Sequence, residues 1–464
     1  MIKITNTLTK RKQEFKPLTE GEVKMYACGI TVSGSAHIGH AIQAMIFDIV
    51  RKYLEKQGYN VKYARNYTDV DDKIIAKSNE AGVPAKEYAE ARIKEIDRDL
   101  ADLGVSDPTY LLKATEHIGD IIEFIEKLME KGYAYATKEG DVYFDVKKYS
   151  PYGKLSNRKT ENAVSGGRVV LEDNKEDEKD FALWKSAKPG EPYWDSPWGR
   201  GRPGWHIECS AMNYSTFGEQ IDIHGGGRDL IFPHHENEIA QTEALTGKNF
   251  ASFWMHNGLV KVNGVKMSKS LNNSILLRDI LDKYGREVTR FALLQTNYKN
   301  DVNITDNLFE DAEKHLTSFY KTFEKIEALN LKSSKVNPII DEEFNKAMDD
   351  DFNTALAVSN LFEYFKTMNF KLANGDESVI EDYNAVKNTY ALLGILQENS
   401  KEFLDKIASK LSNGIPSEVT LLANERLEAR KVKDFAKSDM LRDKILSLGY
   451  SIKDIPNGYE IIKN

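Results

Sequence analysis

A strand, a loop, a helix and a second strand follow one another between residues 22 and 68, and this order constrains the fold most. The runs VKMYACGI and NVKYARNY are short and rich in strand-forming residues. Between them, apolar residues recur at intervals of three and four, as on one face of a helix: Ile42, Met45, Ile46, Ile49, Val50 and Tyr53. This unit predicts a parallel α/β sheet with its functional edge at the strand carboxyl ends. No G-x-G-x-x-G follows the first strand, which argues against a dinucleotide-binding domain.

Composition is that of a large globular protein. The chain has 464 residues, 41% of them hydrophobic and 29% charged, so several domains are expected. No apolar run approaches the roughly 20 residues that span a bilayer, and the N-terminal residues lack an apolar signal segment. With only two cysteines, the chain has no disulfide framework. We therefore expect a cytoplasmic protein in a reducing compartment, with no membrane partner.

The pattern along the chain predicts an α/β protein with appended helical regions. Residues 72–135 are mostly helical in pattern, residues 136–205 are rich in short strands, Pro, Gly and Trp, and amphipathic helices fill 306–398. We predict a Rossmann-like parallel-sheet catalytic domain (1–110 and 200–260), an inserted connective subdomain (111–199), a connecting subdomain (261–305), an α-helical bundle (306–410) and a small C-terminal module (411–464).

The tetrapeptide HIGH, residues 37–40, stands where the first loop is predicted to enter a helix. Its two imidazoles, three positions apart, share a helix face, and Gly39 between them lets a planar ligand approach the backbone. A helix N-terminus adds free N–H groups and positive potential, which favour phosphate. Loop histidines are common by chance, so this tetrapeptide alone does not establish a site.

A second candidate is VNGVKMSKSLNNS, residues 262–274, where Lys266 and Lys269 stand among serines. Lysine suits a phosphate-binding loop because its compact charge can follow a phosphate through a reaction. A lone K-x-x-K is more often a solvated surface turn. Here it follows HIGH along the chain, and the pair in this order resembles the double signature of class I aminoacyl-tRNA synthetases.

The segment FPHHENEIA, residues 232–240, combines metal-binding side chains at helical spacing. His234 and Glu238 lie four positions apart and would share one helix face. Metal sites usually need three or four ligands, and Cys28 and Cys209 could complete a tetrahedral zinc set. Each cysteine alone is more often a small buried hydrophobe, and His235 fits packing better than ligation. Sequence spacing alone does not assemble ligands so far apart.

The chain resembles the cysteinyl-tRNA synthetase family over nearly its whole length. The resemblance is carried by NTLTKRKQEFKP, TDVDDKI, RPGWHIECSAMN, DIHGGGRDLIFPHHENEIAQ, MSKSLNN and MDDDFNTALA. It implies a single zinc ion on Cys28, Cys209, His234 and Glu238. Cysteine and serine differ by one atom, and pocket size separates close analogues by only about 1–3 kcal/mol. A zinc ion that binds the substrate thiolate would add soft sulfur chemistry that a hydroxyl cannot match.

The same resemblance implies the other site residues, with ATP and its Mg²⁺ as substrate and tRNA(Cys) and L-cysteine as partners of a monomeric enzyme. The catalytic residues would be His37, His40, Lys266 and Lys269. The ATP site would comprise Thr31, His37, His40, Gly225, Gly226, Gly227, Asp229, Lys266 and Lys269. The amino-acid site would comprise Gly29, Thr68, Trp205 and His224.

The C-terminal module is where the resemblance places anticodon recognition. The net charge of −8 argues against a general nucleic-acid binder, yet residues 401–464 carry 12 Lys and Arg against 10 Asp and Glu. Unpaired bases are recognised by stacking on aromatic or arginine planes, and Arg426, Arg430 and Phe435 are the candidates. A solvated helix with compensating acids is the alternative interpretation.

The sequence departs from the family pattern near the expected ATP and substrate pocket. Ser33 and Gly34 replace Tyr-Asp, Ile42 replaces an arginine, Arg228 replaces a small or apolar residue, and Asn272 replaces a glycine. These changes suggest a divergent or second copy. Two rival functions are a ligase that joins cysteine to an amino sugar and a non-catalytic tRNA- or zinc-binding regulator. The long segment after residue 305 argues against the first, and the intact signatures argue against the second.

Overall fold

The computed structural model describes residues 1–158, 175–268, 271–413, 415–455 and 458–464. The strands are β1 (Lys3–Asn6), β2 (Arg11–Glu14), β3 (Glu22–Thr31), β4 (Asn60–Thr68), β5 (Tyr110–Lys113), β6 (Ala134–Ala136), β7 (Val142–Phe144), β8 (Phe181–Ser186), β9 (Gly201–Pro203), β10 (Ile221–Gly227), β11 (Ala251–Asn257), β12 (Val260–Val262), β13 (Val265–Lys266), β14 (Val302–Ile304), β15 (Tyr450–Ile455) and β16 (Gly458–Lys463).

The helices are α1 (Ile38–Lys56), α2 (Asp72–Ala81), α3 (Ala85–Asp102), α4 (Ile118–Glu130), α5 (Trp205–Phe217), α6 (Glu236–Thr246), α7 (Leu277–Leu294), α8 (Asp306–Ala328), α9 (Pro338–Asp349), α10 (Thr354–Ala373), α11 (Val379–Tyr390), α12 (Ser400–Asn413), α13 (Ser417–Lys431) and α14 (Phe435–Ser447). Among the described residues, no helix is long and apolar enough to cross a membrane.

A five-stranded parallel sheet forms the centre of the catalytic region, in the order β11-β10-β3-β4-β5. Its interior strands are almost wholly buried, as expected for a sheet covered on both faces. Because the strands run in parallel, β3, β4, β10 and β11 all deliver their carboxyl ends to one edge. The predicted parallel α/β fold is confirmed.

Helix α1 connects β3 to β4 and packs against the sheet through the predicted apolar stripe. All six stripe residues are buried. At its N-terminus, the His37 side chain accepts hydrogen bonds from the backbone N–H groups of Gly39 and His40. Gly225 allows β10 to approach this helix, since a Cβ there would lie 2.2 Å from the Phe47 ring. The sequence pattern therefore holds the histidine pair at the carboxyl edge of the sheet.

The insertion forms a four-stranded antiparallel sheet, in the order β6-β7-β8-β9. Its boundaries differ from the predicted 111–199. Strand β5 pairs with β4 and so belongs to the central sheet, whereas β9 extends the insertion to Pro203. The difference arises because β5 is a short edge strand that local sequence does not distinguish from a loop.

The segment after β11 forms a small sheet, in the order β13-β12-β14. This sheet extends from Val260 to Ile304, close to residues 261–305, the range predicted for the connecting subdomain. Helix α7, in the same range, bends at Gly285, where φ is 79°. Two contacts join this segment to the start of α1: Ile38 donates its backbone N–H to Ile275, and Leu277 donates to Ala36, both at 2.9 Å. These two bonds hold the segment that follows Lys266 next to the start of HIGH.

The chain separates into two units. The first comprises Met1–Lys314 and Lys332–Gln397, and the second comprises His315–Leu331 and Glu398–Asn464. The predicted bundle of residues 306–410 is therefore divided, because α9, α10 and α11 group with the catalytic region. Contacts with α1 explain this grouping: the Tyr53 hydroxyl donates to Asp349 at 2.9 Å.

The second unit contains a separate small core formed by α13, α14 and the β15–β16 hairpin. The buried residues of this core are Val419, Leu422, Ala423, Leu441, Ile445 and Tyr450. The hairpin pairs in register from Tyr450 with Lys463 to Ile455 with Gly458. This arrangement corresponds to the predicted C-terminal module.

Candidate active site and metal centre

A cavity of about 330 Å³ opens where β3, β4, β10 and β11 end. Its walls include residues of HIGH, residues 266–268 of the lysine segment, both cysteines and the start of α5. Predicted site residues that line it are Cys28, Gly29, Thr31, His37, His40, Thr68, Trp205, Cys209, Gly227, Asp229, His234 and Lys266. One cavity thus holds residues that are scattered over more than half of the chain.

Four buried side chains form a compact cluster: Cys28, Cys209, His234 and Glu238. The first three line the cavity, and Glu238 contacts two of them from outside the lining. The two sulfur atoms lie 3.6 Å apart, and Cys28 Sγ lies 3.1 Å from Glu238 Oε1. His234 Nε2 lies 3.0 Å from the same carboxylate oxygen. The strand β3, the helix α5 and the start of α6 each contribute to the cluster, so it exists only in the folded chain.

The cluster fits a zinc ion in its donor atoms and dimensions. A tetrahedral site with zinc–sulfur bonds near 2.3 Å and zinc–nitrogen bonds near 2.0 Å separates its ligand atoms by about 3.3–3.8 Å. All four ligand atoms here lie within 4.8 Å of one another. Small adjustments of the side chains would therefore complete the site.

A second group of metal-binding side chains shares two members with the first: Cys28, His224, His235 and Glu238. The His224 ring stacks on Trp254 with centroids 4.4 Å apart. Its Nε2 lies 2.7 Å from Glu238 Oε2, and so contacts a different carboxylate oxygen from the one near Cys28 and His234. His235 contacts His256 through ring nitrogens 2.7 Å apart. Neither histidine is among the residues that line the cavity. The first group is therefore the one that a substrate could reach.

The two cysteines differ in acidity. The hydrogen bond from Cys28 lowers the pKa of Cys209 to about 6, whereas burial raises the pKa of Cys28. Burial opposes ionisation of Glu238, but the charges of His224 and His234 outweigh it and lower the pKa of that carboxyl. The cluster thus presents a thiolate and a carboxylate to a cation, and metal binding would release the Cys28 proton.

The predicted amino-acid residues surround the cluster in different ways. Trp205 stacks on His234 with ring centroids 4.4 Å apart and is 39% exposed, so its indole faces the cavity. The Thr68 hydroxyl donates to Glu208 at 2.8 Å. Gly29 allows β3 to meet β4, because a Cβ there would lie 1.5 Å from the Asn66 carbonyl oxygen. His224 is buried behind Glu238 and orients that carboxylate.

The two histidines of HIGH line the same cavity. Their rings stack with centroids 3.5 Å apart at the first turn of α1. Lys266 ends β13 with an exposed side chain and lines the same cavity, whereas Lys269 lies outside the described residues. A histidine pair, a helix N-terminus and a lysine therefore converge where a triphosphate could bind.

The glycine triplet at the end of β10 has two roles. Gly227 and Asp229, two of the residues predicted for the ATP site, both line the cavity. Gly225 and Gly226 instead permit close packing behind the wall, since a Cβ at Gly226 would lie 2.9 Å from Leu230.

The lining residues that were not predicted as site residues include four with amide or amino groups: Gln43, Asn66, Lys73 and Asn257. Gln43 donates to the Cys28 carbonyl oxygen, and Asn66 accepts from the Gly29 N–H at 2.9 Å, so both support the cysteine-bearing strand. Their positions in the predicted elements could have indicated them. Asn66 lies near the carboxyl end of β4, Asn257 ends β11, and Gln43 lies one helical turn after HIGH.

The structure accounts for two departures from the family pattern. Asn272 adopts φ of 49°, a left-handed conformation that glycine accepts freely and asparagine better than most residues. Arg228 forms an ion pair with Asp301, which also accepts the Leu259 N–H at 3.1 Å and pairs with Lys261 at 3.0 Å. Asparagine therefore preserves the turn, and Arg228 adds an ion pair between two segments whose neighbouring residues, Gly227, Asp229 and Leu259, line the cavity.

The predicted tRNA contacts lie in the second unit and differ in exposure. Arg426 is buried, and its guanidinium donates to both carboxylate oxygens of Asp454 at 2.7 and 3.1 Å. Arg430 pairs with Asp454 at 3.0 Å but its side chain is 41% exposed, and Phe435 is 60% exposed. Arg426 thus stabilises the module, while the other two side chains retain free surface.

The chain matches two family descriptions. Residues 14–314 match the tRNA synthetases class I (C) catalytic domain, and residues 343–397 match the DALR domain. A solved structure of Mycobacterium tuberculosis methionyl-tRNA synthetase in complex with methionyl-adenylate has a TM-score of 0.61 at 14% identity, covering 83% of this chain and 93% of that one. This likeness shows the class I fold.

Close relatives extend over nearly the whole sequence. A cysteine–tRNA ligase from Geobacter metallireducens is 44% identical over 478 aligned positions, covering 98% of each chain. One from Thermodesulfovibrio yellowstonii is 46% identical over 484 aligned positions, also covering 98% of each chain. With both signatures at one cavity, the chain belongs to the cysteine–tRNA ligase family of class I aminoacyl-tRNA synthetases.

Proposed function

We propose that this chain activates L-cysteine with ATP and transfers it to the 3′ end of tRNA(Cys). The observation that carries this proposal is that three members of the Cys28–Cys209–His234–Glu238 cluster, the two cysteines and His234, line the cavity that also holds HIGH and Lys266. A site for a thiol and a site for phosphates thereby face one substrate-sized space. Two buried free cysteines also fit our expectation of a cytoplasmic enzyme.

The four-residue cluster would hold one zinc ion, which when bound supplies a soft ligand position for the substrate sulfur. Trp205 covers His234 and limits the space next to the cluster, so a small amino acid fits there. His224 holds Glu238 from behind through Nε2, which fixes the carboxylate toward the cysteines. Amino-acid selection therefore depends on this buried network.

The phosphate side would work by positioning and charge. His37 and His40, with the N-terminus of α1, would bind the ATP phosphates while the substrate carboxylate attacks the α-phosphorus. Lys266 and Lys269 would stabilise the charge that accumulates on the departing pyrophosphate. Gly227 and Asp229, which line the same cavity, would bind the adenosine. The tRNA terminal adenosine then takes the acyl group, and no enzyme nucleophile is required.

The test of this function is cysteine-dependent exchange of pyrophosphate into ATP, followed by charging of tRNA. We expect exchange with cysteine in the absence of tRNA, and stable charging when tRNA(Cys) is added. Exchange without charging would favour a ligase for another acceptor, such as an amino sugar. Absence of exchange would favour the non-catalytic regulator and reject the proposal.

Lys266→Ala is expected to slow adenylate formation about a hundredfold, the size typical of losing one transition-state charge contact. Cysteine binding should change little, because this lysine acts on phosphate. Single-turnover adenylate formation and cysteine titration separate the two effects. Lys266→Arg is the matched control and should recover part of the rate. Collapse of cysteine affinity at an unchanged chemical rate would reverse the assigned roles.

Arg228→Ala is expected to raise the KM for ATP about two- to fivefold, since an exposed ion pair is worth up to about 1 kcal/mol. The KM for cysteine should stay the same, because Arg228 stands between Gly227 and Asp229, which we assign to ATP, and its ion pair is with Asp301. Steady-state exchange kinetics with each substrate varied in turn measure this difference. Arg228→Lys should restore the ATP value. Equal change in both KM values would assign the pair a general structural role.

A further inference from the structure

The hairpin between β8 and β9 carries an exposed aromatic ring that no step described above uses. Tyr193 is 47% exposed on the connecting loop. The guanidinium carbon of Arg200 lies 4.6 Å from the centre of its ring. Arg200 is itself exposed, with one ion pair to Asp195 at 3.3 Å. The two side chains form a solvent-facing plane, here called the Tyr193–Arg200 platform.

The loop beneath the platform is ordered by backbone bonds. Trp194 and Gly201 exchange hydrogen bonds at 2.8 and 3.0 Å, and Ala187 donates to the Arg200 carbonyl oxygen at 3.0 Å. Gly201 leaves no room for a side chain, because a Cβ there would lie 2.3 Å from Trp184 Nε1. The platform therefore rests on a fixed turn, and stacking on it would require little ordering of the backbone.

The hairpin is attached to the rim of the active-site cavity in two ways. Arg200 stands five positions before Trp205, which lines the cavity, so their Cα atoms lie at most about 18 Å apart. Arg202, on strand β9, forms an ion pair with Asp72. Asp72 is the chain neighbour of Lys73, which lines the cavity. The platform thus stands within reach of a strand that enters the cavity from outside.

We propose that the Tyr193–Arg200 platform binds an unpaired nucleotide of the tRNA 3′ end and guides that end toward the cavity. Unpaired bases stack on aromatic rings and on guanidinium planes, and a cation beside the ring also attracts the phosphate backbone. This inference rests on the proposed function, because only an acceptor nucleic acid must place a single-stranded end in this cavity. A protein partner would instead require a broader apolar surface than one ring.

The test compares tRNA binding by the full-length wild-type chain and by Tyr193→Ala. We expect the variant to bind intact tRNA(Cys) about tenfold more weakly, the effect of losing one stacked base. Both proteins should bind equally to tRNA from which the unpaired 3′ nucleotides have been removed. Tyr193→Phe keeps the ring and should bind intact tRNA as the wild type does. Arg200→Ala should weaken binding, and Arg200→Lys should recover part of it.

The outcomes separate this inference from the proposed function. Cysteine-dependent pyrophosphate exchange should be unchanged in Tyr193→Ala, because the exposed ring contacts neither ATP nor cysteine. Unchanged binding of intact tRNA, or an equal loss with trimmed tRNA, would overturn the platform. Loss of exchange in the variant would also overturn it, by showing that the hairpin supports the cavity. Absence of exchange in the wild type would instead reject the proposed function itself.

Discussion

Cys209→Ser is expected to lose tightly bound zinc and to lower cysteine-dependent pyrophosphate exchange by at least roughly a hundredfold, since even outer contacts of metal sites are worth about 10- to 100-fold. The physical reason is that serine offers a hard, protonated hydroxyl where the structure places the more acidic of two thiols. The fold should survive, because the change replaces a single atom and removes little volume from the core. Metal analysis of protein purified without chelator and circular dichroism measure the two effects separately.

His235→Asn is the matched control for the cluster, because His235 belongs to the second group of metal-binding side chains and not to the first. It is buried and contacts His256, so some loss of thermal stability is expected. Its zinc content should equal that of the wild type. If Cys209→Ser retained zinc and His235→Asn lost it, the metal would have to be assigned to the second group.

Truncation after Asn413 is expected to leave cysteine-dependent pyrophosphate exchange nearly intact while tRNA charging falls about a hundredfold. The truncation removes the core of α13, α14 and the β15–β16 hairpin, all of whose buried members lie beyond residue 413. Each stacked base is worth about 1–3 kcal/mol, so losing the contacts to two bases accounts for the size of the fall. Exchange and charging assays on the same preparation measure both activities.

The residual charging by the truncated chain should no longer respond to changes in the anticodon. Two point variants sharpen this result. Phe435→Ala should reproduce part of the charging loss, and Phe435→Tyr should not, because the exposed ring is retained. Arg426→Ala should lower the stability of the module, since it removes the partner of Asp454 inside it. If exchange and charging fell equally on truncation, anticodon recognition by this module would have to be abandoned.

The elements that sequence alone predicted well are those whose signal is local. The apolar stripe of α1 has the helical period, and all of its members are buried. HIGH was placed at a helix start, and His37 does cap that helix. In both cases the periodicity or the capping chemistry is written within a few neighbouring residues, so no tertiary information was needed.

The features that sequence did not predict depend on long-range contacts. Arg426 lies in a run rich in basic residues, and nothing near it in sequence shows that Asp454 will pair with it in the interior. His224 precedes the glycine triplet, yet it is buried because Trp254 of the neighbouring strand covers it. The four side chains of the proposed zinc site meet only because β3, α5 and the segment around the start of α6 pack together. Their assignment from sequence required resemblance to a family.

The central claim is that this cavity selects cysteine for attachment to tRNA through a thiol-binding cluster. Charging of purified tRNA(Cys) with cysteine and with serine, by the zinc-containing protein, tests it most directly. Pocket size alone discriminates such close analogues by only about 10- to 200-fold. We predict a preference for cysteine well beyond that range, reduced to within it in Cys209→Ser. Comparable charging with serine by the wild-type chain would contradict the account.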